Sequence, residues 1–538
     1  MKEFFMSKKN FLTLLFCIIV GGVMSLLTGQ DVCFDLQNYH LYTPYAFLTG
    51  RLETDIIPAG ALHTFFNPLL DIPFFIIFYY LNEWPLLTGF LQGVYFGLFL
   101  FILWKLLLLL LGKETKEEKA LCLATLLLAA TGMASLFQIG HTSNETQIAI
   151  FSLLSCYLLF KGTDSDLRFK PSYLAGAALI AGAMTGLKYT AGPNMVGIGC
   201  ACLFLLIKNK SSWKHYLYIA GAALAGLLLT DGYFLLKKWI FLGNPLFPFF
   251  NDIFKSPFFD PISLPNGPHT PVGWKEWLFL PFLRYKFFIL EYRLDVRLII
   301  GWIAFVLLFI RQIILLFKKV KFSKAYTLPL CIFLGTYVSW VIMFGNMRYS
   351  IFLEVLSCLL FVLVFRCFLS ARWSILPVIL ALIGLLMHPL PEWQRRPFRQ
   401  TNIFFSTPIS VPDDAFVVLG GHISFLVPYL NPKARYGGGV TFFPWKFQDA
   451  PYLTVRKLSP LQLNDYRHHF DRRLREAVLA HKGPIYLITP NPYWIWNSSF
   501  WAWYGINISD RQCTNFTTSL TPQYKSLALC KVKKIPQP

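Results

Sequence analysis

PLLDIPFFIIFYYLN, residues 68–82, is the stretch on which the topology turns. It is apolar enough to enter a membrane. It has only 15 residues, however, carries Asp71 and is interrupted by Pro73. A helix needs ~20 apolar residues to cross ~30 Å of hydrocarbon. The spacing therefore predicts an interfacial or re-entrant helix, and every later segment changes side if that prediction fails.

The flanking segments decide in its favour. An apolar run at 11–28 follows the basic N-terminal residues MKEFFMSKKN. It is long for the apolar region of a signal peptide and has no clear small-residue cleavage site, so it reads as a retained first span. Further runs lie at about 86–111, 119–139, 146–160, 172–187, 190–207, 216–236, 298–317, 326–344, 350–366 and 373–389. If 68–82 does not cross, KETKEEK (113–119), KGTDSDLRFK (161–170), KNKSSWKH (208–215), KKVKFSK (318–324) and RCFLSAR (366–372) all face the cytoplasm. These loops are rich in Lys or Arg, and the loops near 140–146, 188–194 and 345–350 are poor in positive charge. That is the bias of membrane proteins. Lys237 and Lys238 are the exception, at the outer end of a span.

Composition agrees. Of 538 residues, 55% are hydrophobic, 17% aromatic and only 14% charged. Soluble proteins carry about a quarter charged residues. The formal net charge of +21 is dispersed over short loops and forms no continuous patch of the kind that binds nucleic acid. Most of the 11 cysteines lie inside apolar runs and read as small hydrophobes. Cys513 and Cys530 lie beyond them and are candidates for a disulfide.

The fold class expected is a polytopic α-helical membrane protein of about eleven transmembrane helices. Interfacial helices sit in its first outer loop, and a small C-terminal α/β domain lies outside. The transmembrane part spans 1–390, with long outer loops at 29–85 and 237–297, and the soluble domain spans 391–538. In that domain AFVVLGG (415–421), PIYLITP (484–490) and SLALCKVKK (526–534) read as strands, and 461–483 as an amphipathic helix ended by Gly483. No internal repeat supports an inverted-repeat transporter.

The residues with chemical potential gather on the predicted outer side. Asp31 and Asp35 follow the first span. Tyr39, Tyr42, Tyr45 and Ala46 then recur at helical spacing up to Gly50, with Pro44 inside. An isolated interfacial Asp is ordinarily a solvated charge. Here a second acidic loop, GHTSNET (140–146) with His141 and Glu145, faces the same way, though alone it reads as a helix-connecting turn with Asn144 as N-cap. Lys188 and Arg348 end spans on that side, where such cations either snorkel or bind a phosphate. Glu291, Arg293, Asp295 and Arg297 read as a structural ion-pair cluster. Carboxylates supply a base for a hydroxyl nucleophile, and cations stabilise a departing phosphate.

FDLQNYHLYTPYAFLTGR followed by HTFFNPLLD, within 34–71, resembles the first outer loop of the GT-C superfamily of membrane glycosyltransferases, in its protein O-mannosyltransferase and aminoarabinose-transferase branches. HTSNETQIAIF, TGLKYTAG, GNPLFP and the Met347-Arg348-Tyr349 triplet are similar to further motifs of its bacterial members, and the resemblance covers roughly 1–390. It implies an inverting glycosyltransferase that takes a sugar from a polyprenyl phosphate to a glycan, lipid or protein acceptor. It puts the catalytic acid on Asp35, with Asp31 as rival because Leu36 stands where an acidic pair would have Glu. It puts a second acidic role on Glu145. Asp31, His40, His63, His141, Lys188, Arg348 and Tyr349 become candidate substrate contacts. The resemblance leaves metal dependence open, since some members use a divalent cation and others do not, and Asp31, Asp35 and Glu145 are the residues that could hold one. The localisation implied is the bacterial inner membrane, with a cytoplasmic N-terminus and a periplasmic C-terminal domain. A transporter or flippase of a lipid-linked precursor is the main alternative. Its ionisable groups would be Asp231 and Lys105. A non-catalytic envelope-assembly protein is a further one.

Overall fold

The computed structural model describes residues 7–535, apart from 57, 60–62, 260, 262–272, 277–295, 387–393, 439–459, 492–500 and 503. The proposed cluster at Glu291, Arg293 and Asp295 lies outside them. The chain forms two compact units. One draws its described residues from Met1–Thr28, Gly89–Tyr233 and Pro265–Trp393, the other from Gly29–Thr88, Phe234–Leu264 and Gln394–Pro538.

The first unit is helical. Every stretch read as a span contains a helix, from Lys8–Thr28 through Pro85–Leu111 to Ala371–Leu386. Among the described residues six helices are long and apolar enough to cross a membrane: Lys8–Thr28, Pro85–Leu111, Tyr189–Lys208, Trp213–Leu242, Arg297–Phe317 and Lys324–Met343. Their outer faces are apolar. Phe11, Phe16, Ile19 and Leu27 of the first, and Leu228, Leu229, Leu236 and Ile240 of the fourth, are exposed. Patches of this extent are stable in lipid and not in water. The chain is therefore a polytopic helical membrane protein that also carries a C-terminal sheet domain. The run at 119–139 is not one helix. It breaks into Lys116–Ala130 and Met133–Phe137 around Thr131 and Gly132.

The basic loops meet at one end of this unit. Lys208 donates to the Asp166 carbonyl (2.7 Å), Lys321 pairs with the Asp166 carboxylate (3.3 Å), and Lys324 donates to the carbonyls of Phe160 and Thr163. The loops 161–170, 208–215 and 318–324 thus share one side, as the charge bias predicts. Helix Glu145–Lys161, 17 residues or ~25 Å, carries Lys161 at that end and Glu145 at the other.

Arg297 is the one member of the expected cluster among the described residues. Its guanidinium donates to the carbonyls of Leu128 (3.1 Å) and Thr131 (2.8 Å), and so satisfies the C-terminal end of Lys116–Ala130.

The second unit centres on a five-stranded sheet. Its order is Arg435–Gly437, Phe416–Leu419, Ile485–Asn491, Ser526–Lys534, Ile506–Phe516. The first three strands are parallel, and the last two join antiparallel. The three strands and the helix read from sequence are all present, the helix as Pro460–Ala480. Arg435–Gly437 and Ile506–Phe516 are additions. Cys513 and Cys530 are joined in a disulfide across the last strand pair.

Residues 29–88 belong to this same unit. Gln30–Asp31 pairs antiparallel with Arg395–Arg396, and Ile56 bridges to Gly437 at the sheet edge. The decisive stretch forms helix Ile72–Tyr80, nine residues or ~14 Å long. It is too short to cross, and Pro73 sits in its first turn where the missing N–H costs nothing. Phe74, Phe75 and Phe78 enter a core shared with Leu36, Tyr42, Tyr45, Val417, Leu426 and Leu527.

Candidate active site

In the first unit three chain turns converge on Glu145, at the end opposite the basic loops. Residues 138–144 form a tight turn in which Gly140 (φ +66°) has no room for a side chain, because a Cβ there would strike the Ser25 hydroxyl. Asn144 follows in the left-handed region (φ 66°), and helix Glu145–Lys161 begins after it. Asn144 occupies the N-cap position, but its side chain makes no capping bond and accepts from Gln147 Nε2 instead (2.9 Å). His141 is fixed by the same turn. Its Nδ1 accepts from the Ser143 N–H (3.2 Å) and lies 2.9 Å from the Ser143 hydroxyl, and its ring stacks on Phe137. Gln92 donates to the His141 carbonyl (3.1 Å), and the Ser143 hydroxyl donates to the side-chain oxygen of Gln138.

The second turn, Tyr189–Ala191, is preceded by Lys188, whose extended backbone (φ −156°) ends helix Pro171–Leu187. Its ammonium pairs with the Glu145 carboxylate and donates to the Ser143 carbonyl. The third is the 3-10 turn Met347–Tyr349, capped by Asn346, whose side chain accepts from the Arg348 N–H (2.9 Å). Arg348 Nε lies 3.8 Å from the same Glu145 oxygen. Lys188 and Arg348 also flank the Tyr349 ring at 6.0 and 5.9 Å. Glu145 is nearly inaccessible (4%), whereas the two cations keep 19% and 18% of their side chains exposed. The two cations and one carboxylate leave a net single positive charge, with the cations on the open side. The charge of such an arrangement is complementary to that of a monoanion. A carboxylate already held by two cations is also a poor place for a divalent ion.

The remaining candidates belong to the second unit. Asp31 is buried, its carboxylate accepting from the Cys33 N–H (2.8 Å) and lying near the Cys33 thiol (3.4 Å). Burial lowers the neighbouring Arg395 guanidinium below its usual pKa, and Asp31 opposes the fall. Asp35 stands at the head of a π-helical turn, Leu36–His40, and is buried. Such turns are rare and frequent at functional sites. His40 Nδ1 is 2.6 Å from Asp71, with both side chains almost inaccessible. His63 stacks on Tyr39 at 5.0 Å and 15°.

Several partners were not legible in the sequence. Glu354, fully buried on helix Ile351–Arg366, accepts from the backbone N–H groups of Ala134 (2.8 Å) and Ser135 (3.2 Å) and from the Ser135 hydroxyl (3.0 Å). Arg51 and Asp55 form a buried ion pair (2.8 Å) joined by the Tyr42 hydroxyl (3.2 Å) and the Tyr436 N–H (3.2 Å). Burial raises the Asp55 carboxyl above its usual range, and Arg51 pulls it back only in part. Glu354 has a local signal, a lone carboxylate in the apolar run Ile351–Arg366, as Asp71 has in 68–82, but neither sequence context names a partner.

No family model matches the chain, and no curated protein matches it. Among solved structures it is similar to ArnT from Cupriavidus metallidurans, crystallised bound to undecaprenyl phosphate, at 12% identity and a TM-score of 0.45. The match covers 99% of this chain and 100% of that one.

Proposed function

We propose that the chain is a membrane glycosyltransferase of the GT-C kind, moving a sugar from a polyprenyl phosphate to a hydroxyl acceptor on the outer face of a bacterial inner membrane. The observation that carries this reading is the partly exposed pair Lys188 and Arg348 held on the buried Glu145. A sugar phosphodiester brings one negative charge, which the net charge of the site neutralises. The sequence motifs at 34–71 and 140–191 support the same reaction class. Glu145 positions the two cations, and His141 stiffens the turn that bears it.

Asp35 is the base. Asp31, whose carboxylate accepts from the Cys33 N–H, is the rival for that role. The acceptor hydroxyl gives its proton to Asp35 as its oxygen bonds to the anomeric carbon. The bond from that carbon to the phosphate oxygen breaks, its electron pair stays on the phosphate, and Lys188 and Arg348 stabilise the charge. The anomeric centre inverts. In this reading about eleven helices cross, the N-terminus is cytoplasmic, and residues 391–538 form a periplasmic domain. The Cys513–Cys530 disulfide supports an oxidising compartment for that domain. The test is transfer by Asp35→Asn from a polyprenyl-phosphate sugar. Loss of turnover with donor binding retained is expected, and near-normal turnover overturns the assignment.

Transport of a lipid-linked precursor is the second reading, and one observation favours it: Asp231, wholly buried, lies inside helix Trp213–Leu242. Its carboxylate is engaged by the Tyr189 hydroxyl, and the helix is not broken there. Both points favour a structural role.

A further inference from the structure

The π-helical turn Leu36–His40 and the helix after it carry buried polar groups that no protein atom satisfies. Both amide atoms of Asn38, Nε2 of His40 and the hydroxyl of Thr43 are buried without a hydrogen-bond partner, and the three residues are 0%, 1% and 1% exposed. Buried polar groups in native proteins nearly all find partners. Three orphans within six residues mark a place where a ligand supplies what the chain does not.

The chemistry of these groups selects the ligand. Asp71 requires a proton on His40 Nδ1, 2.6 Å away. In the neutral ring Nε2 is then an acceptor, and in the imidazolium it is a donor. The Asn38 amide offers one of each, and the Thr43 hydroxyl does both. A hydroxyl group suits every one of them, because it donates and accepts. A carboxylate or phosphate would leave acceptors unmatched, and an ammonium would leave donors unmatched. Tyr39 lies between the orphans in sequence, its ring 4.2 Å from His40 and stacked on His63. Groups that both donate to and accept from hydroxyls are what a sugar ring requires of its polar contacts.

We propose that Asn38, His40 and Thr43 form a sugar-binding subsite in the second unit, with Asp71 as the positioning residue that sets the His40 tautomer. The inference takes its ligand class from the glycosyl-transfer reading. It assigns the subsite to sugar hydroxyls and leaves phosphate to Lys188 and Arg348. Residues 36–45 must part to admit the ring, since the orphans are closed off in the unliganded chain.

The test is thermal stabilisation of the full-length protein in a sugar-free detergent such as lauryldimethylamine oxide, with a panel of methyl glycosides at 100 mM or so as probes. At least one glycoside is expected to raise the wild-type Tm. Asn38→Leu, similar in shape and apolar, should keep or raise the unliganded Tm, since it removes orphaned groups, yet lose the glycoside shift. His40→Gln should lose it too, and Thr43→Val serves if His40→Gln fails to fold. Asp71→Asn should reduce the shift, and a retained shift in Asp71→Glu would mark positioning. No shift with any glycoside overturns the proposal. A shift that survives Asn38→Leu also overturns it, since the sugar would then bind elsewhere. Failure of Asp35→Asn to stop turnover would sink the transferase reading without touching this result.

Discussion

The carboxylate of Glu354 fills the space in which a side chain on Gly132 would sit. Glu354 and Arg348 ride on adjoining turns of one chain segment, and Gly132 opens the segment that leads to Glu145. The contact therefore ties together two of the three turns of the proposed phosphate site. Gly132→Ala must displace that carboxylate. Glu354→Gln sets an amide N–H₂ against backbone N–H groups. Each should cost ~2 kcal/mol or more and lower the Tm in detergent. An unchanged Tm in both would show that the clamp bears no strain of the fold.

The charge balance around Glu145 can be read directly. Lys188→Met removes a charge-assisted contact worth ~1.5–3 kcal/mol, so affinity for polyprenyl phosphate should fall about 10- to 100-fold. Glu145→Gln removes the opposing charge, and binding should hold or tighten while transfer falls through misplaced cations. Titration of tryptophan fluorescence with the lipid checks both. Weaker binding in Glu145→Gln would contradict the assigned roles.

Asp55 supplies a pH prediction. Burial raises its carboxyl in the folded chain, so the folded state holds that proton more tightly than the unfolded one. Stability from this group is greatest in acid, falls as pH rises from the ordinary carboxylate range to the raised value, and is level above it. Arg51→Met removes the cation that limits the rise. The fall should deepen and extend toward neutral pH, and an uncompensated buried carboxylate should cost ~3–5 kcal/mol there. Melting curves from pH 4 to 8 decide it, since parallel curves for variant and wild type would mean the two groups are not coupled.

Sidedness can be labelled. Val320 is exposed among the basic loops, and Asp413 is exposed on the sheet domain. In intact cells Asp413→Cys should react with a membrane-impermeant maleimide, and Val320→Cys only with a permeant one. The reverse pattern would invert the topology.

Much of this was legible because lipid imposes simple rules. The helices followed from run length, and the non-crossing of 68–82 from its brevity and Pro73. The π-helical turn at 36–40 was not legible, because its residues read equally well as an α-helix. The break at Thr131 and Gly132 escaped notice because its partner, Glu354, lies more than two hundred residues away. Strand Ile506–Phe516 lacks clean alternation, and its register shifts between Asn507 and Gln512. Of the candidate site, sequence order put Glu145, Lys188 and Arg348 at one end of the helices, but only folding revealed that the carboxylate is bonded to the lysine. The pairing of His40 with Asp71, 31 residues apart, carries no local signature.

The second unit takes Leu36, Tyr42 and Phe78 from early in the chain, and Val417 and Leu527 from its end, into one core. During synthesis the first loop is delivered long before the strands it must join. At ribosomal speeds of ~5–20 residues per second, it waits roughly 20 to 90 seconds with its aromatic face uncovered. A chaperone or the bilayer surface must shelter Tyr42, Phe74 and Phe78 during that interval. Truncation before the last strand would strand the protein as a quality-control substrate, even with every membrane helix already inserted.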